Sequence, residues 1–414
     1  MNFKIRVLLA LLMAALMLAL AGCGGGYACR ITFGSSTCNS SGSGIGSNGG
    51  TGGGGGGGTT ISAANATALV YYLNGTGIAG AGLGGTTFAP LASYTAPTLS
   101  NALADNMAIV NKKFVYVPMG DTTIQAFSIT RSTGALTAIA GNPFSVSGLG
   151  TADGAWSDPL GRFLFVGSES QGNIWVFTID ATTGVLTEVS GSPFTSLNLV
   201  SADIMTVDAS GKFLYVGQQQ TANGVDAFSI DQTTGALTEI TGSPFLLNVA
   251  QIHANPAAEF LLGVAQIQDQ GSVSGATDPH IYVFSINTTT GVPTAVTGSP
   301  FLTSAAAPFD FAVSPNGQFV YSVGTVPATT TISPLEGYQM DTTTGALTAV
   351  SGSPFTTLPL VSECEFEQLG ANLFCVDSLL GGSTMYAFAA STSNGSMASD
   401  ASLTASATAF AVTD

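Results

Sequence analysis

Beyond residue 100 the chain alternates apolar and polar positions in short runs, four runs to a unit. In one unit Ala202-Asp-Ile-Met-Thr-Val207 alternates and Asp208-Ala-Ser-Gly211 turns the chain. Lys212-Phe-Leu-Tyr-Val216 and Val225-Asp-Ala-Phe-Ser-Ile230 follow, both rich in β-forming residues, and Leu237-Thr-Glu-Ile240 is the last run. Runs this short with a period of two predict strands rather than helices. Thr233-Thr-Gly235 separates the third run from the fourth and supplies a glycine able to take positive φ, as a three-residue hairpin loop requires. Gly242-Ser-Pro-Phe245 is then expected to end the ladder, because proline has no amide to donate. Four antiparallel strands and a transfer segment make one propeller blade.

The same phrase recurs along the chain. TTGALTEITGSPF from Thr233 has counterparts in STGALTAIAGNPF from Ser132, TTGVLTEVSGSPF from Thr182, TTGVPTAVTGSPF from Thr289 and TTGALTAVSGSPF from Thr343. Its glycines, at 134, 184, 235, 291 and 345, are 50 to 56 residues apart. A period near that value in short strands is the mark of a propeller. Complete units begin near Asn101, Thr151, Ser201, Asn248 and Ala307, and a degenerate one runs from Leu360. Ala66 to Ser100 holds only three strands, while Thr408-Ala-Phe-Ala-Val412 reads like Asp310-Phe-Ala-Val313, an inner strand without a blade. Joining the two predicts an all-β, seven-bladed propeller over residues 61–414, its ring closed by strands from both ends and free of open sheet edges.

The preceding residues follow other rules. Lys4 and Arg6 precede an apolar stretch from Val7 to Leu20, and Leu20-Ala21-Gly22-Cys23 has the small residues that a signal peptidase needs. Those last four residues resemble the lipobox of bacterial lipoproteins, which implies a signal peptide over 1–22 and a lipid on Cys23. Gly24 in place of aspartate implies the outer membrane. Asn39 to Thr60, including an unbroken glycine tract from Gly52 to Gly58, has almost nothing to bury and is expected to be a tether within residues 23–60.

Charge narrows the functions available. Charged residues make up 8% of the chain and the net charge is −16, against about 25% charged residues in typical soluble proteins. So acidic a body lacks the clustered lysines and arginines that nucleic acid demands. It is expected to meet a membrane through its lipid alone. Apart from Cys23, the cysteines are Cys29, Cys38, Cys364 and Cys375, an even number suited to an oxidising compartment. Proximity pairs Cys29 with Cys38. Aligning the Gly370 turn with Gly317 sets Cys364 beside Phe311 and Cys375 beside Tyr321, on neighbouring strands of one blade and close enough to bridge.

FLYVG at 213–217, FLFVG at 163–167, FSID at 228–231 and the TTGALT…GSPF phrase resemble the YVTN-type seven-bladed propellers of the lactonase family, which includes 6-phosphogluconolactonase-like proteins. The resemblance covers roughly residues 65–414. It implies a site where the inner strands enter the central channel, with His or Arg to hold a phosphate or polarise a lactone carbonyl. This chain places acids there. Asp105, Asp153 and Asp203 align at the strand entry, Asp310 and Glu363 fall one position later, and Ala250 is followed by His253. Converging carboxylates would repel a sugar phosphate and could bind Ca²⁺, another hard cation or a polyhydroxy ligand. Alternatively each Asp caps backbone amides at its own strand, which is the reading preferred from the sequence. A second candidate is the long insertion Ala265–Pro279 with Asp269 and Asp278, and His280 just after it, which could supply a general base or a metal ligand. His253 is expected to pack in its blade, and Trp156 and Trp175 to pack in core or rim rather than stack on a sugar.

The remaining motifs carry no chemistry. Gly80-Ala-Gly82-Leu-Gly-Gly85 matches GxGxxG but reads as a hairpin loop with no helix after it, and there is no GxSxG or HExxH. Taken alone, the sequence favours a lipid-anchored binding or scaffold module of the cell envelope. It needs no cofactor, and a glycan, small molecule or protein is expected at the propeller face. Lactonase-type hydrolysis is the alternative that the resemblance implies, and a purely structural role is the third. Cys23→Ser should release the protein from membranes or leave it unprocessed; unchanged fractionation and mass would remove the lipid anchor.

Overall fold

The second run of the repeat is strongly apolar, and it forms an enclosed strand. Phe114–Pro118, Phe213–Gly217 and Phe260–Val264 are buried at every position, as strands covered on both faces must be. The computed structural model describes residues 59–414 except 100–105, 147, 149–151, 169–171, 197–198, 200, 203, 218–223, 270–271, 276–277, 305–306, 326–331, 360, 362, 378–383 and 406. Cys23, Cys29 and Cys38, with the expected signal peptide and most of the tether, lie outside the described residues, as do Asp105 and Asp203. Among the described residues no helix is long and apolar enough to cross a membrane.

Seven antiparallel sheets make the seven blades of the propeller, each built on four strands, and blades 2, 5 and 6 add a short fifth strand beside the third. Blade 1 is Ala68–Leu73, Ile78–Gly84 and Thr87–Pro90, completed by Phe410–Thr413 as its inner strand. Blades 2 to 7 begin with the inner strands Ala108–Val110, Ala152–Ser157, Ile204–Val207, Gln251–Ala254, Ala307–Val313 and Glu363–Phe366. The insertion in blade 5 forms a hairpin, Gln266–Asp269 with Ser272–Gly275. Ile78–Gly84 corrects the expected hairpin loop: Gly80 and Gly82 are strand residues, kept small under Leu91, Ile61 and Tyr94.

The repeated phrase joins each blade to its neighbour. Gly235 has φ +80°, and a Cβ there would lie 2.7 Å from the ring of Phe163 in the preceding blade. Gly184, Gly291, Gly345 and Gly395 meet Phe114, Phe213, Phe260 and Phe319 in the same way. Where the second strand carries tyrosine, its hydroxyl donates to the carbonyl of that glycine: Tyr71 to Gly134 (2.9 Å), Tyr116 to Gly184 (2.7 Å), Tyr215 to Gly291 (2.7 Å) and Tyr321 to Gly395 (2.9 Å). The turn itself is held by Asp180, Asp231 or Asp341, whose carboxylates accept the two following threonine amides. Those hydrogen bonds hold all three acids below the usual carboxylate range.

The proline segment does more than end the ladder. Its Xaa-Pro bonds are cis, and after them the phenylalanine returns to the third strand, Phe194 opposite Ile174 and Phe245 opposite Val225. The serine bridges the gap: Ser192, Ser243, Ser299 and Ser353 hydroxyls accept the amides of Val176, Ala227, Val283 and Gly337. Blade 7 lacks this phrase. There Cys364 and Cys375 are disulfide-bonded with Cα atoms 4.1 Å apart, directly opposite in register. Cys375 thus matches Ser322, which faces Phe311, rather than Tyr321 one residue earlier.

Arg131 of blade 2 seals the ring. It donates to the carbonyls of Ala63 (2.6 Å), Ala66 (2.7 Å) and Asp414 (3.0 Å), and Lys112 pairs with the Asp414 carboxylate at 2.5 Å. Arg131→Ala leaves three carbonyls without this donor and should cost about 1.5–3 kcal/mol in chemical denaturation. Deleting residues 405–414 should strip the inner strand from blade 1, with marked destabilisation and aggregation through the opened edge. A deletion variant that melts like the wild type would refute closure by both termini.

Candidate functional site

The inner strands line the channel, and register decides which of their residues share a level. Opposite the large residue in the middle of each second strand stand Ala411, Ala108, Trp156, Thr206, His253, Ala312 and Glu365, in order from blade 1 to blade 7. Two residues nearer the strand entry, blades 3 to 7 contribute Gly154, Ile204, Gln251, Asp310 and Glu363. Hydrogen-bonding side chains therefore gather on blades 4 to 7. At the first of these levels alanine stands in blades 1, 2 and 6.

The centre of the polar side is Asp310. Its carboxylate accepts the Cys364 amide across the blade boundary at 2.8 Å and the Gln251 side-chain amide at 3.2 Å. Burial pushes its pKa up to about 7, against the opposing pull of hydrogen bonds from Cys364, Phe311 and Gln251. The Gln251 side-chain nitrogen also lies 3.2 Å from Nε2 of His253. Since that amide donates, Nε2 accepts and the imidazole proton sits on Nδ1. His253 stands edge-on to Phe311 with ring centres 4.9 Å apart. Although 41% of its side chain is reached by solvent, enclosure by the inner strands pushes its pKa down to about 4. It is neutral at pH 7, so its 3.9 Å approach to Asp310 is not an ion pair. Deeper in, burial pushes Glu365 up to about 8 while the Val412 amide of blade 1 opposes the shift.

This arrangement corrects the sequence reading of His253. His253 faces the channel rather than packing within its blade. Of the aligned acids, Asp310 and Glu363 share a level with Gln251 and Ile204, and Asp105 and Asp203 lie outside the described residues. The side chains of Asp153 and Asp269 lie outside those described. Asp310 does cap backbone amides, those of Phe311 in its own strand and Cys364 in the next blade, and acids in the turn after the inner strand cap the second strand. Asp158 accepts the amides of Arg162 and Phe163, Asp208 those of Lys212 and Phe213, and Glu367 those of Leu369 through Asn372. Among the described residues no three His, Cys, Asp or Glu side chains come together to hold a metal ion.

The insertion builds a separate network. Asp278 bonds Nδ1 of His280 at 2.5 Å and accepts the Tyr282 hydroxyl at 2.7 Å, which in turn accepts the Asn248 amide at 3.0 Å. His280 opens the third strand of blade 5 rather than sitting in a loop. Sequence reasoning missed Gln251 and Glu365. Only the blade register shows that they stand with Asp310 and His253.

Charge is divided between the two faces. The described lysines and arginines, Lys112, Lys113, Arg131, Arg162 and Lys212, all lie in or beside hairpin turns on the face away from the strand entries. The channel mouth has no described cationic side chain.

A family model described as lactonase, 7-bladed beta-propeller, matches residues 111–246. No curated protein matches the chain. A solved structure from Bacteroides fragilis, provisionally assigned as a 6-phosphogluconolactonase, superposes with a TM-score of 0.59 at 15% identity, covering 84% of this chain and 98% of that one. One from Bacteroides uniformis, with the same provisional assignment, gives 0.60 at 14%, covering 84% and 99%. The periplasmic gluconolactonase of Pseudomonas aeruginosa gives 0.55 at 14%, covering 83% and 99%. At these identities the structural likeness is one of fold. Together with the family match, it makes the chain a seven-bladed β-propeller related to the lactonase family.

Proposed function

We propose that the channel mouth hydrolyses an uncharged sugar lactone. The observation that carries this reading is Asp310, a carboxyl raised to about 7 and held by the Cys364 amide and Gln251. A base is most effective when its pKa lies near the working pH, and enclosure gives an aspartate that value. Ionised Asp310 takes a proton from water as the water oxygen bonds to the lactone carbonyl carbon. Neutral His253 offers its Nδ1–H to the developing oxyanion. The tetrahedral intermediate collapses by breaking the bond to the ring oxygen, which receives the proton from Asp310, and a hydroxy acid leaves. A lactone without phosphate suits a mouth with acids and no described cation.

The family relationship and the fold shared with a periplasmic gluconolactonase support hydrolysis over a passive binding role. The Cys364–Cys375 disulfide accords with an oxidising compartment, and lipid on Cys23 would keep the propeller at the envelope.

Purified protein should hydrolyse glucono-1,5-lactone above background and show little activity on its 6-phosphate. The rate should rise with pH through about 7 as Asp310 ionises, and Asp310→Asn should lower kcat by about a hundredfold or more. The raised pKa also means that the folded state binds this proton more tightly than the unfolded chain. Its stabilising contribution is complete below the unfolded value and fades as pH rises through about 7. Asp310→Asn should therefore gain stability relative to the wild type at pH 8. Lactone turnover untouched by this substitution would reject Asp310 as the base.

A further inference from the structure

Trp156 occupies the same channel level as His253 and Glu365, two blades from the first. Its partner on the second strand is Phe165, and it packs in part against the cluster between blades 3 and 4. The indole folds back along its own strand over Gly154, where any Cβ would run into the ring. Glycine at 154 thus allows a flat aromatic surface to lie against the inner strand. Trp156 remains partly reached by solvent, whereas Trp175 is 0% exposed in the blade core. The sequence alone placed both in packing roles.

The geometry points to Trp156 as the specificity-determining platform of the channel, binding the apolar face of an uncharged sugar ring. This rests on the lactone reading above and names its substrate class. The C–H face of a pyranose or its lactone is apolar, while its edge carries hydroxyls. Such a ring needs an aromatic surface beneath it and donors and acceptors around its rim. Gln251, His253 and Asp310 supply the rim on blades 5 and 6, and Trp156 supplies the surface on blade 3. A phosphate would find acids and no described cation at the same mouth. The selectivity thus comes from two sides: the indole accepts the ring, and the mouth offers no described cation to an anionic substituent.

Intrinsic fluorescence tests this without requiring turnover, because the sequence holds 2 tryptophans and only Trp156 is reached by solvent. The probe is gluconolactam, an uncharged and non-hydrolysable ring, with 6-phosphogluconate as the charged control. Gluconolactam should alter the emission of wild-type and Trp175→Phe protein, leave that of Trp156→Phe unchanged, and be unmatched by 6-phosphogluconate. Trp156→Ala should raise KM for the lactone about tenfold with a smaller change in kcat. Gly154→Ala, which displaces the indole, should move KM in the same direction, with circular dichroism confirming the fold of each variant. Lactone turnover with a silent Trp156 and an unchanged KM in both variants would overturn the platform and leave the hydrolase reading intact. A response of Trp156 to gluconolactam without lactone turnover would support the platform and reject hydrolysis. Silence in both assays would overturn both.

Discussion

The fold depends on a glycine in the third-to-fourth-strand turn of blades 3 to 7 lying against an aromatic ring of the preceding blade. Five such contacts, from Gly184 on Phe114 to Gly395 on Phe319, recur around the ring. A side chain at these positions would face both a left-handed backbone and a filled space. The tyrosine hydroxyl that reaches the same glycine carbonyl adds a directed bond of about 1 kcal/mol to the apolar contact. One turn thereby sets spacing and orientation between adjacent blades. The phrase is repeated because each copy performs the same task at a different boundary.

Fixed blade spacing has a chemical consequence at the centre. Inner strands bring one side chain per blade to a common level, so residues distant in sequence can share a proton or a hydrogen bond. Asp310 depends on a donor from blade 7, the Cys364 amide, and another from blade 5, Gln251. The first donor belongs to a residue tied by disulfide to the strand behind it. Blade 7 has no Ser-Pro-Phe segment of the kind that braces blades 3 to 6. The covalent link braces the inner strand where the phrase is missing, and it does so next to the candidate base.

Architecture was legible in the sequence because it is written repeatedly. The period, the strand pattern, the closing strand Thr408–Val412 and the disulfide could be read from turns and alignment. The segment after the cis proline was harder: a proline does end the hydrogen-bonding of one residue, but serine hydroxyls carry the ladder across the gap. The candidate site was legible only in fragments because it is written once. Asp310 and Glu363 could be aligned from their turns, but the hydrogen bonds that join Asp310 to blades 5 and 7 have no trace in the repeat pattern. Gln251 attracted no attention, since a glutamine in a strand has no signature until its neighbours are known.

The acidic composition also misleads about charge at the site itself. A count of carboxyls treats each as ionised, yet enclosure holds Asp310 near 7 and Glu365 near 8. At neutral pH much of that charge is absent from the channel, because ionising a buried carboxyl forfeits its hydration. His253 follows the same rule in the opposite direction and remains uncharged. The channel thus presents mainly neutral hydrogen-bonding groups inside an acidic shell. A sugar phosphate would find no described cation there to balance its charge. An uncharged ring would meet donors, acceptors and an aromatic face. The sequence reading set the acids against catalysis; their enclosure is what makes one of them suitable as a base.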